Sequence, residues 1–66
     1  MRITVNGKII EIENGMTITS LIEKLMLDKR KIAVEQNNTI ISRSLHDRTI
    51  LNDNDKIEII QFIGGG

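Results

Sequence analysis

Apolar and polar positions change rhythm several times along these 66 residues, and each change marks an element. Met1 to Val5 alternates and is β-branched, which predicts a strand. Asn6-Gly7 follows at once. A two-residue type I′ turn needs positive φ at both central positions, so Asn-Gly here predicts a hairpin, with Lys8 to Ile12 as the returning strand. Asn14-Gly15 is a second break. Ile18, Leu21, Ile22, Leu25 and Met26 then recur at i, i+3, i+4, i+7 and i+8, one apolar face of a helix within Thr17 to Leu27. Thr17 is the preferred N-cap. Ser20 with Glu23 offers a competing capping box that would start the helix later. Lys29, Arg30 and Lys31 fall near the predicted helix C-terminus, where positive charge is favoured.

Ile32 to Gln36 predicts a third strand, Asn37-Asn38 a turn, and Thr39-Ile40-Ile41 a short fourth strand. Ser42 to Arg48 is polar without a period and predicts a loop with room for one short helical turn. Asn52 to Asp55 is a dense turn cluster, in which Asn and Asp tolerate left-handed backbone. Lys56 to Phe62 is the last strand. One helix packed across a mixed sheet satisfies this order, an α+β class. Periodicity leaves the strand order open.

Strand side chains alternate between faces. With Ile57 and Ile59 toward the helix, Glu58, Ile60 and Phe62 face the other way. Ala33 and Glu35 join them if Ile32 and Val34 face inward. Glu58 suits a solvated face, whereas Ile60 and Phe62 do not, and a contiguous apolar patch often marks a docking surface. The competing reading folds Phe62 over the sheet edge as ordinary packing.

Composition narrows the chemistry. A chain of 66 residues forms one small domain, expected over 1–63, followed by a flexible Gly64-Gly65-Gly66 tail. Without Cys there is no disulfide, thiolate metal site or thiol nucleophile, so aliphatic packing must hold the domain. Nine basic residues cancel nine acidic ones, which argues against nucleic acid as a partner. No apolar run approaches a membrane span, and Met1 to Val5 lacks a signal-peptide h-region, so a cytoplasmic protein is expected. The single His46 reads as a solvated loop residue. Asp53 and Asp55 read as local hydrogen-bond acceptors in their turn rather than a carboxylate pair. Arg43-Ser44 reads as surface loop, and Met16 and Met26 as packing filler.

The glycine tail is the one feature with chemistry of its own. Glycine loses more backbone freedom on ordering than any other residue and has no side chain to bury. Read as the chain end, Gly64-Gly65-Gly66 is a slim peptide carrying a carboxylate that is ionised near neutral pH. An ionised carboxylate is a poor electrophile. Transfer of an adenylyl group from ATP would make it an acyl donor, and a sulfur nucleophile could then displace AMP. The chain has no P-loop, Cys nucleophile or recognisable Ser/His/Asp constellation, so that catalysis must belong to a partner.

Several pieces of the sequence resemble one known family across nearly the full length. They are Val5-Asn6-Gly7, Thr17-Ile18 with Leu21-Ile22, Ala33-Val34-Glu35 with Asn37, and Ile40-Ile41 with Arg43-Ser44. The strongest is Leu51, Asp53, Asp55 and Ile57-Glu58-Ile59 running into Phe62-Ile63-Gly64-Gly65-Gly66. The chain resembles the ThiS family of sulfur carriers in thiamine biosynthesis. Asn54 stands where many relatives have Gly, a modest cost in a left-handed turn.

The resemblance implies a β-grasp, or ubiquitin-like, fold, with four to five strands packed on one helix and the last strand central and parallel to the first. It implies a protein cosubstrate rather than an enzyme. Gly66 is expected to be adenylated by an E1-like enzyme of the ThiF type that uses ATP, then converted to a thiocarboxylate. The sulfur is expected to reach a ThiG-type thiazole synthase, with a cysteine desulfurase or other donor acting indirectly. Gly64 and Gly65 would enter partner active sites, while Ile60, Phe62, Ala33 and Glu35 would dock. No cofactor is expected on the chain itself. Two alternatives share the tail. The molybdopterin-synthase small subunit usually runs longer and carries Pro near its tail, and this chain has no Pro. A ubiquitin-type modifier would end as an amide to lysine.

Overall fold

Two asparagine-led turns set the two hairpins of the sheet. In this computed structural model, which describes residues 1–62, Asn6 and Gly7 have φ of 49° and 84°, and Asn37 and Asn38 have 51° and 71°. Left-handed backbone at both central positions is what a two-residue hairpin needs. The first turn joins β1 (Arg2–Val5) to β2 (Lys8–Glu11). The second joins β3 (Ile32–Gln36) to β4 (Thr39–Ile41). The last strand, β5 (Lys56–Gln61), runs between the hairpins, parallel to β1 and antiparallel to β3. The five-stranded order is β2-β1-β5-β3-β4, with α1 (Ile18–Lys24) crossing one face. This is the β-grasp fold.

A helix of seven residues cannot stand alone in water. Its first amides are satisfied from two directions. Thr17 is the N-cap, and its Oγ1 accepts from Ser20 N at 3.1 Å. Ile18 N donates to Thr49 O at 3.0 Å and Thr19 N to His46 O at 3.2 Å. The loop between β4 and β5, which includes a 3₁₀ turn at Arg43–Leu45, is therefore a second cap for the helix. Ile18, Leu21 and Ile22 then pack on Ile3, Ile12, Ile32, Val34, Leu51, Ile57 and Ile59 in a wholly aliphatic core.

The helix ends sooner than its apolar spacing predicts. Leu25 caps it, and Met26 turns left-handed at φ 58°. Met26 N donates to Glu23 O at 3.0 Å and Leu27 N to Ile22 O at 3.1 Å, the paired bonds of a Schellman motif. Met26 is thus 91% exposed and is not packing filler; Met16 does pack on the core. Lys29, Arg30 and Lys31 do not serve the helix end. They form a separate 3₁₀ turn capped by Asp28, and Lys24 is the cation in the last helical turn.

His46 is also corrected. It is 4% exposed, because the 3₁₀ turn before it rotates the ring inward, and its Nε2 lies 3.1 Å from Ile41 O. A carbonyl only accepts, so Nε2 carries the hydrogen, and Nδ1 is buried with no partner among the described residues. The turn carboxylates reach further than a local reading implies. Asp53 Oδ1 accepts from Arg2 N at 2.9 Å. Asp55, 6% exposed, accepts from Asn52 N (2.8 Å), Gln36 Nε2 (2.8 Å) and Asn37 Nδ2 (2.9 Å). It ties the start of β5 to the β3–β4 turn. Asn54 adopts the expected left-handed backbone at φ 70°.

Candidate functional site

The outer face of β5 is built by pairing with β3. Ala33 lies opposite Ile60 and Glu35 opposite Glu58. Ile57 and Ile59 point to the helix side and are buried, which leaves Glu58, Ile60 and Phe62 outward. Ile60 is 50% exposed and Phe62 56% exposed, so Phe62 does not fold into the core. Ala33 and Glu35 are half-buried beside them. Glu58 is 3.8 Å from Lys56, a surface pair of small energetic weight. The four residues named from the sequence thus share one face, with Ile60 and Phe62 as its apolar part and Glu35 and Glu58 as its charged margin.

β5 is held on both sides as far as Ile59 and by β3 alone from there to its end. Register with β3 runs to Ile32 opposite Gln61, and Phe62 N still donates to Lys31 O at 2.8 Å. Register with β1 stops at Val5 opposite Ile57. Beyond that point the Asn6 side chain takes over, with Ile59 N donating to Oδ1 at 2.7 Å and Nδ2 donating to Ile59 O at 3.1 Å. A turn reading of Asn6 leaves this contact out. Its partner is 53 residues away, and Asp or Gly would satisfy the turn as well, so nothing local signals it.

Gly64, Gly65 and Gly66, with Ile63, lie outside the described residues. Phe62 is the last residue described, and in the sequence only Ile63 separates it from the glycine segment. Beside it, Lys31 belongs to the 3₁₀ turn in which Arg30 and Asp28 pair at 3.1 Å. The Arg30 side-chain hydrogen bond, helped by the Arg30 amide, lowers the Asp28 carboxyl to about 2. Among the described residues no group of three His, Cys, Asp or Glu side chains is placed to hold a metal. No described helix is long and apolar enough to cross a membrane.

A family model described as the ThiS family matches residues 3–66, a span that includes all three terminal glycines. This chain belongs to the ThiS family. It is 36% identical over 62 residues to the sulfur carrier protein ThiS of Bacillus subtilis, covering 92% of this chain and 94% of that one. The crystal structure of the thiamine biosynthesis protein ThiS from Geobacter metallireducens superposes with a TM-score of 0.86 at 32% identity, covering 100% of both chains. A thiazole synthase of Paramagnetospirillum magneticum is 41% identical over 66 residues. The chain spans only 20% of the length of that protein, so the resemblance there is to one part of a longer polypeptide.

Proposed function

We propose that this ThiS-family chain is a sulfur carrier whose reactive group is the Gly66 carboxylate. An E1-like enzyme of the ThiF type binds the outer face of β5 through Ile60, Phe62, Ala33 and Glu35 and draws Gly64 and Gly65 into its active site. A carboxylate oxygen of Gly66 attacks the α-phosphorus of ATP, forming the acyl-adenylate and releasing pyrophosphate. A hydrosulfide equivalent adds to the acyl carbon, and AMP leaves with the electron pair of the broken C–O bond. The product is a thiocarboxylate, which delivers its sulfur to thiazole formation. In this scheme the chain is a cosubstrate, the ATP belongs to the partner, and the setting is the cytoplasm.

Family membership through Gly66 is the observation that carries this reading. Glycine suits the chemistry because a carbonyl without a neighbouring Cβ can be approached from either face. The thiazole-synthase relatives support the destination of the sulfur, since one polypeptide there includes a stretch similar to this whole chain. A thiazole synthase of the ThiG type is accordingly the second partner.

Intact mass tests the reading. The untagged chain is incubated with its activating enzyme, ATP and sulfide. A shift equal to one oxygen replaced by one sulfur, absent when Gly66 is deleted, is the expected outcome. No shift with an enzyme shown to be active overturns the carrier role.

A further inference from the structure

We propose that Asn6 is a positioning residue for the reactive tail, an inference that rests on the sulfur-carrier reading above. The glycine segment follows β5 in the sequence, yet the second neighbour of β5 gives out before the strand ends. The β1 register stops at Val5 and Ile57, whereas β3 follows β5 to Gln61. At Asn6 the backbone turns left-handed into the hairpin and leaves the sheet. Its own N–H makes the last backbone bond of that ladder, to Ile57 O at 2.9 Å.

The side chain continues where the backbone departs. Its carboxamide presents an acceptor to Ile59 N (2.7 Å) and a donor to Ile59 O (3.1 Å). Those are the two contacts that a residue of an antiparallel neighbouring strand would make through its own C=O and N–H. Only one orientation of the amide gives both bonds, because Ile59 N–H can only donate and Ile59 C=O can only accept. Opposite this contact, Lys31 O holds Phe62 N at 2.8 Å. At Ile59 β5 therefore runs between two clasps, one a strand and the other a single side chain. Without the carboxamide, β5 beyond Ile57 becomes an edge held by β3 alone, and the strand that leads into the glycine segment is held less firmly. The turn itself does not need Asn, since Gly and Asp also adopt positive φ there.

Asn6→Gly and Asn6→Asp separate the two roles. Both keep the turn. The first removes the carboxamide, and the second replaces the donor facing Ile59 O with a carboxylate oxygen. Amide exchange at Ile59 is measured by NMR in the free protein, and pyrophosphate release with the cognate activating enzyme is measured well below the thermal midpoint. In Asn6→Gly, Ile59 exchange is expected to quicken about fivefold, the scale of one lost hydrogen bond. The kcat for adenylation is expected to fall about tenfold, with KM for the carrier within about twofold, because a misplaced reacting group slows the chemical step more than binding. Asn6→Asp is expected to lose kcat in the same way. Wild-type kcat in both variants, or a loss confined to KM, overturns the positioning role. Unchanged Ile59 exchange overturns the clasp itself. No pyrophosphate from the wild-type chain sinks the sulfur-carrier reading instead, and the exchange data still decide whether Asn6 holds β5.

Discussion

β5 carries isoleucine on both of its faces and uses it differently on each. Ile57 and Ile59 are buried under α1, while Ile60 is half exposed beside an exposed Phe62. The strand alternation is the same throughout. What differs is that α1 and the loop between β4 and β5 cover one face and no element of the described chain covers the other. The inner face holds the fold; the outer face holds apolar area that folding does not require. That surplus includes Phe62, two positions before Gly64 in the sequence.

The largest break in this comparison comes from the inner face. Ile57→Ala deletes a side chain with no exposed surface, and the cost is about 2–5 kcal/mol from lost burial and the cavity left behind. Urea denaturation followed by far-UV circular dichroism reads it directly. Small domains have little stability to spare, so a fully unfolded variant agrees with the expectation. A cost below about 1 kcal/mol contradicts the assignment of this face as the core.

The root of β5 responds to pH. Burial pushes the Asp55 carboxyl up, but hydrogen bonds from the Asn52 amide, Asn37 and Gln36 outweigh it, so Asp55 sits below its ordinary value. A depressed folded-state pKa contributes stability that is fully present above the unfolded value of about 3.9 and lost as pH falls through the folded value. Asp55→Ala leaves Asn37 Nδ2 and the Asn52 amide without this acceptor and Gln36 Nε2 with Ile50 O alone, and is expected to cost about 1.5–3 kcal/mol at pH 7. The difference from wild type should shrink as pH drops below about 4. A difference that holds constant from pH 7 to pH 3 removes the carboxylate from the account.

Phe62→Glu probes the outer face and should show the reverse pattern. Stability is expected to change by no more than about 0.5 kcal/mol, as at other surface sites. Binding to the activating enzyme should weaken by about 2 kcal/mol, the scale of an aromatic anchor. Calorimetry of the pair and a denaturation curve of the free chain together decide it. Unfolding of the free chain would place Phe62 with the core and erase the distinction between the faces.

Much of this comparison was legible in the sequence, for reasons that vary by element. The two hairpins could be read because positive φ at adjacent positions restricts residue choice, and Asn6-Gly7 and Asn37-Asn38 satisfy it. The inward and outward sides of β3 and β5 could be read because a strand has a period of two. His46 could not, because its burial depends on a 3₁₀ turn that rotates the ring toward Ile41. Nor could the hold of Asn6 on Ile59, since local patterning says nothing about a contact 53 residues away. The glycine tail reads from the sequence only as candidate chemistry, and its geometry lies outside the described residues.

The smallest effect sharpens the contrast between two exposed apolar side chains. Met26 is more exposed than Phe62, yet its exposure has a reason inside the chain. It occupies the left-handed position that closes α1, where its backbone makes one of the two Schellman bonds and its side chain has nothing to pack on. A residue with a Cβ is strained in that conformation by roughly 1 kcal/mol, and Gly is not. Met26→Gly is therefore expected to raise stability by about 0.5–1 kcal/mol, against the usual loss on placing Gly in a helix, and to leave binding of the activating enzyme unchanged. The same substitution at Phe62 should differ on both counts, with stability flat and binding weaker. If Met26→Gly weakens binding, Met26 belongs to the docking surface and exposure near the helix end serves a partner as well. If it only stabilises, backbone geometry accounts for Met26, and Phe62 with Ile60 keeps the functional reading for the outer face.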